Sequence, residues 1–249
     1  MPFSGPNGVG DARVRLQQVD AKLFELLEAF RYTRPSGAVF DVTPDILGKT
    51  DLTSVPAGFR WFVNSYGRHT LPALLHDCLI DTERAQRATQ ASARVVAAPT
   101  RAEADDIFLE TLHVQQVPRI RRYLMWAAVT FATRFLYSGW LVRTGMIVWT
   151  LAALVGTRLV YSSVNWLNLD WARLEIADWN RFAVGILAPL PFAVTWGRSW
   201  FAGICFGYGI VFLMPATIVV HVSFALYWVV EKVLQLLGWS TAPPDIDKF

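Results

Sequence analysis

Cysteine is nearly absent from this 249-residue chain, which holds only Cys78 and Cys205, one in each half. Two thiols so placed exclude a disulfide-stapled scaffold and point to free thiols in a reducing compartment. Charge is scarce too: Asp, Glu, Lys and Arg make up 17% of the residues, against about 25% in an ordinary soluble domain. The net charge is +3, and the arginines are spread along the chain rather than gathered into a patch interleaved with aromatics, so nucleic-acid binding is excluded as a reading. The opening Met1-Pro-Phe-Ser-Gly-Pro-Asn-Gly has neither a basic leader nor an apolar run of signal-peptide length. The N-terminal part is therefore expected to remain in the cytoplasm.

The scarcity of charge is uneven. Residues 1–137 carry 30 of the 43 charged side chains, while hydrophobic residues reach 53% of the whole. The two parts face different solvents, and the pattern predicts a mainly α protein: a small α+β soluble N-terminal domain, a helix pair with short strands, followed by a helical transmembrane block. The expected divisions are an N-terminal arm and amphipathic helix at 1–37, a soluble domain at 38–137 and a membrane block at 138–249.

Within the first part, Gly- and Pro-rich residues 1–11 read as a loose arm. Leu16, Val19, Leu23, Leu26, Leu27 and Phe30 then recur at helical spacing and predict one amphipathic helix over about 12–31. Arg34-Pro35-Ser36-Gly37 breaks it, and Ala38-Val39-Phe40-Asp41-Val42 predicts a strand ending at Pro44. A second strand or extended loop is expected over Leu47 to Pro56. The apolar stripe Leu71, Leu74, Leu75, Cys78 and Leu79 predicts a helix over about 71–89. An Ala- and Ser-rich excursion follows up to Pro99, and a third helix is expected over about 101–114. Pro118 opens a fourth, whose first turns carry Arg119, Arg121 and Arg122 and whose body is aromatic. That composition suits either a membrane surface or packing on the soluble core.

Beyond Gly139 the apolar residues run on almost without interruption. A bilayer span needs about 20 of them, and the candidates are about 144–163, 182–198 and 201–230, the second short and marked by Pro189 and Pro191. Trp140, Trp166, Trp171, Trp179, Trp196, Trp200, Trp228 and Trp239 cluster near the span ends as an aromatic belt would. The distribution of arginines mildly favours a cytoplasmic N-terminus, which implies a multi-pass protein of a bacterial inner membrane with the lipid bilayer as its partner and homo-oligomers allowed. Arg158 and His221 fall inside the proposed spans, where an ionisable group raises the question of transport. Arg158 can snorkel and His221 can bond to a neighbouring helix, and no row of polar residues lines a pore.

Four separated motifs carry the most information: Thr50-Asp51-Leu52-Thr53-Ser54-Val55-Pro56, Tyr66-Gly67-Arg68-His69-Thr70, Leu74-Leu75-His76-Asp77 and Ala104-Asp105-Asp106-Ile107-Phe108-Leu109. In this order, and with Val117-Pro118-Arg119 and Arg122-Tyr123-Leu124-Met125 closing the segment, they resemble domain of unknown function family 1353, frequent in phages, prophages and bacteria. The resemblance covers about residues 38–135 and implies no activity.

Chemistry is therefore read from the residues. The imidazole of His76 can act as a general base near neutral pH, Asp105 can accept its other N–H, and Asp77 can ligate a cation. His-Asp on one helix with Asp-x-x-Phe on the next also resembles bacterial phospholipase A2, although Ile80 stands where that family places a Tyr. The resemblance implies His76 as base, Asp77 as calcium ligand, Asp105 as orienting carboxylate and a lipid substrate. Asp51, His69 or Asp81 are further candidates, and one His with several carboxylates would suit Mg or Mn as the alternative metal. The same residues also suit a purely structural role, with His76 bonded inside a helix pair, Asp77 and Asp81 solvated and Asp105 favoured by a helix dipole. His113 has no recognisable companion and reads as a surface residue. Three functions remain open: a membrane-anchored, metal-assisted lipid or ester hydrolase, a non-enzymatic phage- or prophage-associated partner-binding module, and a small transporter or channel.

Overall fold

Alternation of buried and half-exposed side chains shapes the N-terminal part. The computed structural model of the chain describes residues 2–20, 23–50, 63, 67–90, 97–163 and 178–239. They divide into two compact units, one ending at Arg122 and one beginning at Tyr123.

Among the described residues the first unit holds six short strands: β1 (Phe3–Ser4), β2 (Leu16–Gln18), β3 (Phe24–Leu26), β4 (Phe30–Thr33), β5 (Val39–Val42) and β6 (Lys49–Thr50). They form two antiparallel three-stranded sheets, ordered β1-β4-β5 and β2-β3-β6. The amphipathic helix expected over 12–31 does not form: β2, β3 and β4 occupy that stretch instead. Its apolar residues satisfy a helical period on paper, but pairing Leu16 with Leu26 and Phe30 with Val42 buries Leu26, Phe30 and Val42 in one core. Long-range pairing thus overrides the local period. Arg34-Pro35-Ser36-Gly37 is the β4–β5 turn, with Gly37 at φ 85°, a left-handed conformation that suits glycine. Across that hairpin Arg31 and Asp41 stand opposite each other, and Arg31 Nη2 donates to Asp41 Oδ2 at 2.7 Å.

The short α1 (Pro44–Leu47) leads into β6, which meets the expectation of a strand near residue 47; Asp51 to Phe62 lie outside the described residues. The helix expected over 71–89 is two, α2 (Thr70–Ile80) and α3 (Thr82–Gln90), separated by Asp81 in an extended conformation. Asp81 Oδ1 accepts from the backbone N–H groups of Glu83 and Arg84 at 2.9 and 3.0 Å, so its side chain caps α3. Next, α4 (Arg101–Val114) begins in a capping box: Thr100 Oγ1 accepts from Glu103 N, and the Glu103 carboxylate accepts from Thr100 N. Leu74, Leu75, Cys78 and Leu79 of α2 join Ala104 and Ile107 of α4 and the strand residues Phe3, Phe30, Tyr32 and Phe40 in one core. The sheets and helices so assembled make a small strand-containing region ahead of a mostly helical remainder.

α5 (Arg119–Tyr137) leads into the second unit, which continues with α6 (Trp140–Ser163), α7 (Trp179–Leu187), α8 (Pro189–Phe192), a 3₁₀ segment (Ala193–Ser199) and α9 (Trp200–Leu236). The stretch expected as one span over 182–198 is therefore segmented. Pro189 and Pro191 cannot donate to a continuous helical ladder, and Gly197 at φ 53°, ψ −127° breaks it outright. Within this unit α6 and α7 approach with glycine against glycine: a Cβ placed on Gly156 would sit 2.6 Å from the carbonyl oxygen of Gly185, and one on Gly185 2.7 Å from that of Gly156. Trp149 of α6 and Trp196 of the 3₁₀ segment, both fully buried, pack with ring centroids 4.9 Å apart. Among the described residues two helical stretches, Trp140–Ser163 and Trp179–Leu236, are long and apolar enough to cross a membrane.

Candidate functional site

The packing of α2 on α4 brings together two residues that lie 29 apart in sequence. His76 Nε2 and Asp105 Oδ1 are 2.8 Å apart, and both residues are buried, at 7% and 3% exposure. His76 reaches α4 because it lies on the face of α2 that also buries Ala73 and Leu79. Asp105 lies just past the first turn of its helix, whose acidic residue is Glu103, so the expected dipole position belongs to Glu103 rather than to Asp105. Phe108, one turn further along α4, sets its ring 5.1 Å from the imidazole centroid at an interplanar angle of 48°. A carboxylate is an acceptor only, so it fixes the imidazole as the Nε2–H tautomer. The lone pair then resides on Nδ1, which has no hydrogen-bond partner among the described residues.

The next helix position points elsewhere. Asp77 Oδ2 accepts from the hydroxyl of Thr50, the buried last residue of β6, at 2.6 Å. This bond ties α2 to the sheet β2-β3-β6. Cys78, one residue on, is fully buried, and desolvation pushes its thiol up to about 12, so it is an inert core residue rather than a nucleophile.

His69 is buried immediately before α2. Asp81 is the exposed cap of α3, and its backbone bonds to Arg84 and Glu83 hold its carboxyl below the usual carboxylate range. Asp51 lies outside the described residues. His113 is exposed, as expected, yet has a companion: Arg122 Nη1 stands 2.7 Å from its Nδ1. In the second unit, Arg158 is exposed on α6, and His221 is exposed on α9 with its Nδ1 2.7 Å from the backbone carbonyl of Thr217.

Residues that sequence reasoning passed over also shape the site. Glu110 of α4 accepts from the Tyr32 hydroxyl at 2.7 Å and from Arg34 Nη2 at 2.7 Å, which fastens to β4 the helix that carries Asp105. Burial and the Glu110 carboxylate raise the Tyr32 phenol above its ordinary value, so it stays protonated. No local signal announces this clamp, since its members are 76 and 78 residues apart.

Calcium takes about six to eight oxygen ligands. Among the described residues no group of three or more His, Cys, Asp or Glu side chains could hold a metal ion, and one oxygen of Asp77 is already engaged by Thr50. Among the described residues the donors fall short of the expected calcium site.

Residues 24–129 match the family model described as "Protein of unknown function (DUF1353)". The match starts at β3, earlier than the motifs alone indicated, and takes in His76, Asp77 and Asp105. No curated protein and no solved structure matches the chain.

Proposed function

We propose that the protein is a membrane-anchored hydrolase of lipid or another ester, with His76 as the general base and Asp105 as the residue that positions it. One observation carries the reading: the buried 2.8 Å contact of His76 Nε2 with Asp105, which leaves Nδ1 as the basic atom. In the reaction so implied, Nδ1 takes a proton from water as the water oxygen attacks the ester carbonyl carbon. Asp105 stabilises the imidazolium that forms. Collapse of the tetrahedral adduct expels the alkoxide, which takes the proton back from Nδ1, giving one carboxylic acid and one alcohol. No cation enters this sequence.

Anchoring is supported by the apolar stretches of the second unit. At 24 residues, α6 is about 36 Å long, against about 30 Å of hydrocarbon core. In the second half of α9, Ile218, Val219, Val222, Leu226, Val229 and Val230 are all exposed, a surface that lipid would cover. In this reading the chain crosses a bacterial inner membrane more than once and the first unit stays on the cytoplasmic side.

A second reading, a non-enzymatic module that binds a partner at the membrane, draws on the same burial: with His76 at 7% exposure, the pair can serve as a polar fastening inside the core. The discriminating experiment is fatty-acid release from phospholipid vesicles by the purified full chain, run with calcium and with chelator. Release that is lost in His76→Ala and reduced by about a hundredfold or more in Asp105→Asn is expected. Release that is unchanged in His76→Ala, or absent from the wild type, overturns the hydrolase assignment in favour of the second reading.

A further inference from the structure

Three arginines at the start of α5 are joined in space by a fourth from far upstream. The corner between α4 and α5 is closed by backbone bonds: Gln116 takes φ 54°, its N–H donates to the carbonyl of His113 at 2.9 Å, and the N–H of Val117 donates to that of Leu112 at 3.0 Å. Val117 is buried and pins the turn, so the residues that follow it face outward. Pro118, Arg119 and Ile120 are exposed, Ile120 at 75%, and Arg121 and Arg122 are partly exposed. Arg122 Nη1 is set against the last turn of α4, donating to His113 Nδ1 at 2.7 Å. The exposed Arg68, from the segment ahead of α2, reaches the same corner, where its Nη1 donates to the backbone carbonyl of Gln116 at 3.3 Å. The first turn of α5 holds no acidic residue. All of these residues belong to the first unit.

Four guanidinium groups gathered on one surface call for an anionic partner, and a large aliphatic side chain standing out among them calls for an apolar one. A bilayer with acidic headgroups offers both, phosphate oxygens at its surface and hydrocarbon just beneath. Arginine suits that boundary, since its fork pairs with phosphate while its stem lies along apolar surface. A nucleic-acid backbone would supply the charge but leave Ile120 in water. We infer that this corner of the first unit docks on the surface of an anionic bilayer, with Arg68, Arg119, Arg121 and Arg122 at the headgroups and Ile120 inserted beneath them. The inference rests on the anchoring part of the proposed function, because α5 runs from the corner into the apolar second unit, and it is independent of the hydrolase assignment. Along α4, His113 stands eight residues, about 12 Å, from Asp105. Docking would thus bring the helix that carries the buried pair up to the headgroups.

The test uses the full chain in nanodiscs of phosphatidylcholine alone or of phosphatidylcholine mixed with phosphatidylglycerol. A nitroxide, itself apolar, is attached at Ile120→Cys, and at Ala102→Cys, exposed near the opposite end of α4, as the control. Cys205→Ser removes the half-buried native thiol, and Cys78 is fully buried. Collisions of the label with oxygen, which concentrates in hydrocarbon, are compared with those of a water-soluble nickel complex. The expected result is a label at position 120 that moves from water into the bilayer when phosphatidylglycerol is present, while the label at 102 stays in water. Arg119→Gln and Arg121→Gln each lower the docked-to-undocked ratio about fivefold. Raised salt lowers it in the wild-type arginine set, with no substitution that could disturb folding, and His76→Ala leaves it unchanged. If the chain stays soluble without detergent and does not enter the discs, anchoring alone fails, and the same labels read against added vesicles of the two compositions still decide docking. A label at 120 that remains in water in both compositions, or that enters the bilayer regardless of lipid charge, salt and the arginines, overturns the inference. So does arginine-dependent binding of an RNA with no response to the lipid.

Discussion

Tyr32 on β4 and Glu110 on α4 meet through a 2.7 Å hydrogen bond, with 78 residues of chain between them. Since Arg34 grips the same carboxylate, β4 and α4 are clamped by three side chains, and the second of these elements carries Asp105. Tyr32→Phe is expected to lower stability by about 1 kcal/mol, and Glu110→Ala by more, because it leaves a buried phenol without its acceptor. The phenol's raised value adds a pH dependence. A group raised in the folded state contributes stability that is fully present below its ordinary value of 10.0 and is lost as pH climbs above it. Denaturant titrations at neutral and strongly alkaline pH check both points: the difference between wild type and Tyr32→Phe should shrink in alkali.

Asp81 supplies the acid-side counterpart. Its carboxyl is lowered chiefly by the backbone N–H of Arg84, so the contribution is present above the ordinary carboxylate value of 3.8 and fades as pH falls through the lower, folded value. Asp81→Ala is expected to cost about 1 kcal/mol at neutral pH and Asp81→Asn only a fraction of that, since an amide oxygen still caps α3. Melting curves of wild type and Asp81→Ala that stay equally far apart well below pH 4 would contradict this assignment.

For the buried pair, fold and chemistry separate in a double-mutant cycle. Asp105→Ala strands a buried imidazole and is expected to cost about 1–3 kcal/mol. His76→Leu combined with Asp105→Leu removes both polar partners and should be milder than the sum of the single changes, provided the side chains fit against Phe108. Stability recovered in the double variant while ester hydrolysis stays absent would show that the pair's polarity is kept for chemistry rather than for packing.

The glycine contact between α6 and α7 yields a contrast within one helix. Gly156→Ala places a methyl group against the backbone of α7 and is expected to destabilise by about 1–3 kcal/mol. Gly145→Ala, whose new methyl would meet only the Thr195 side chain at 3.6 Å, should be neutral or should stabilise by up to about 1 kcal/mol through helix propensity. Thermal unfolding of both variants in the same detergent reads the difference.

Much of the helical framework was legible in the residues. Pro99 closed the Ala- and Ser-rich stretch, and the helix expected over about 101–114 runs over Arg101–Val114. Val39-Phe40-Asp41-Val42 alternates and is a strand, closed on one side by Gly37 and on the other by Pro44. The stretch 12–31 misled because six apolar residues at steps of three and four satisfy a helical period, while strands of three or four residues are too short to show a period of their own. Val19 at 38% and Leu27 at 54% exposure show which of those residues the true pairing leaves outside. Asp81 likewise looks like one more helical position until its side chain is seen capping the helix that follows it.

By itself, then, the sequence determined the division of charge between the two parts, the helix with its capping box, the glycine and proline breaks and the identity of the His-Asp motif, because each depends on neighbours within a few residues. Tertiary structure alone decided that Leu16–Gln18, Phe24–Leu26 and Phe30–Thr33 form strands, that α6 and α7 meet at Gly156 and Gly185, and that Asp77 accepts from Thr50. Those outcomes depend on which apolar faces bury against each other across long stretches of chain, and no local pattern records that choice.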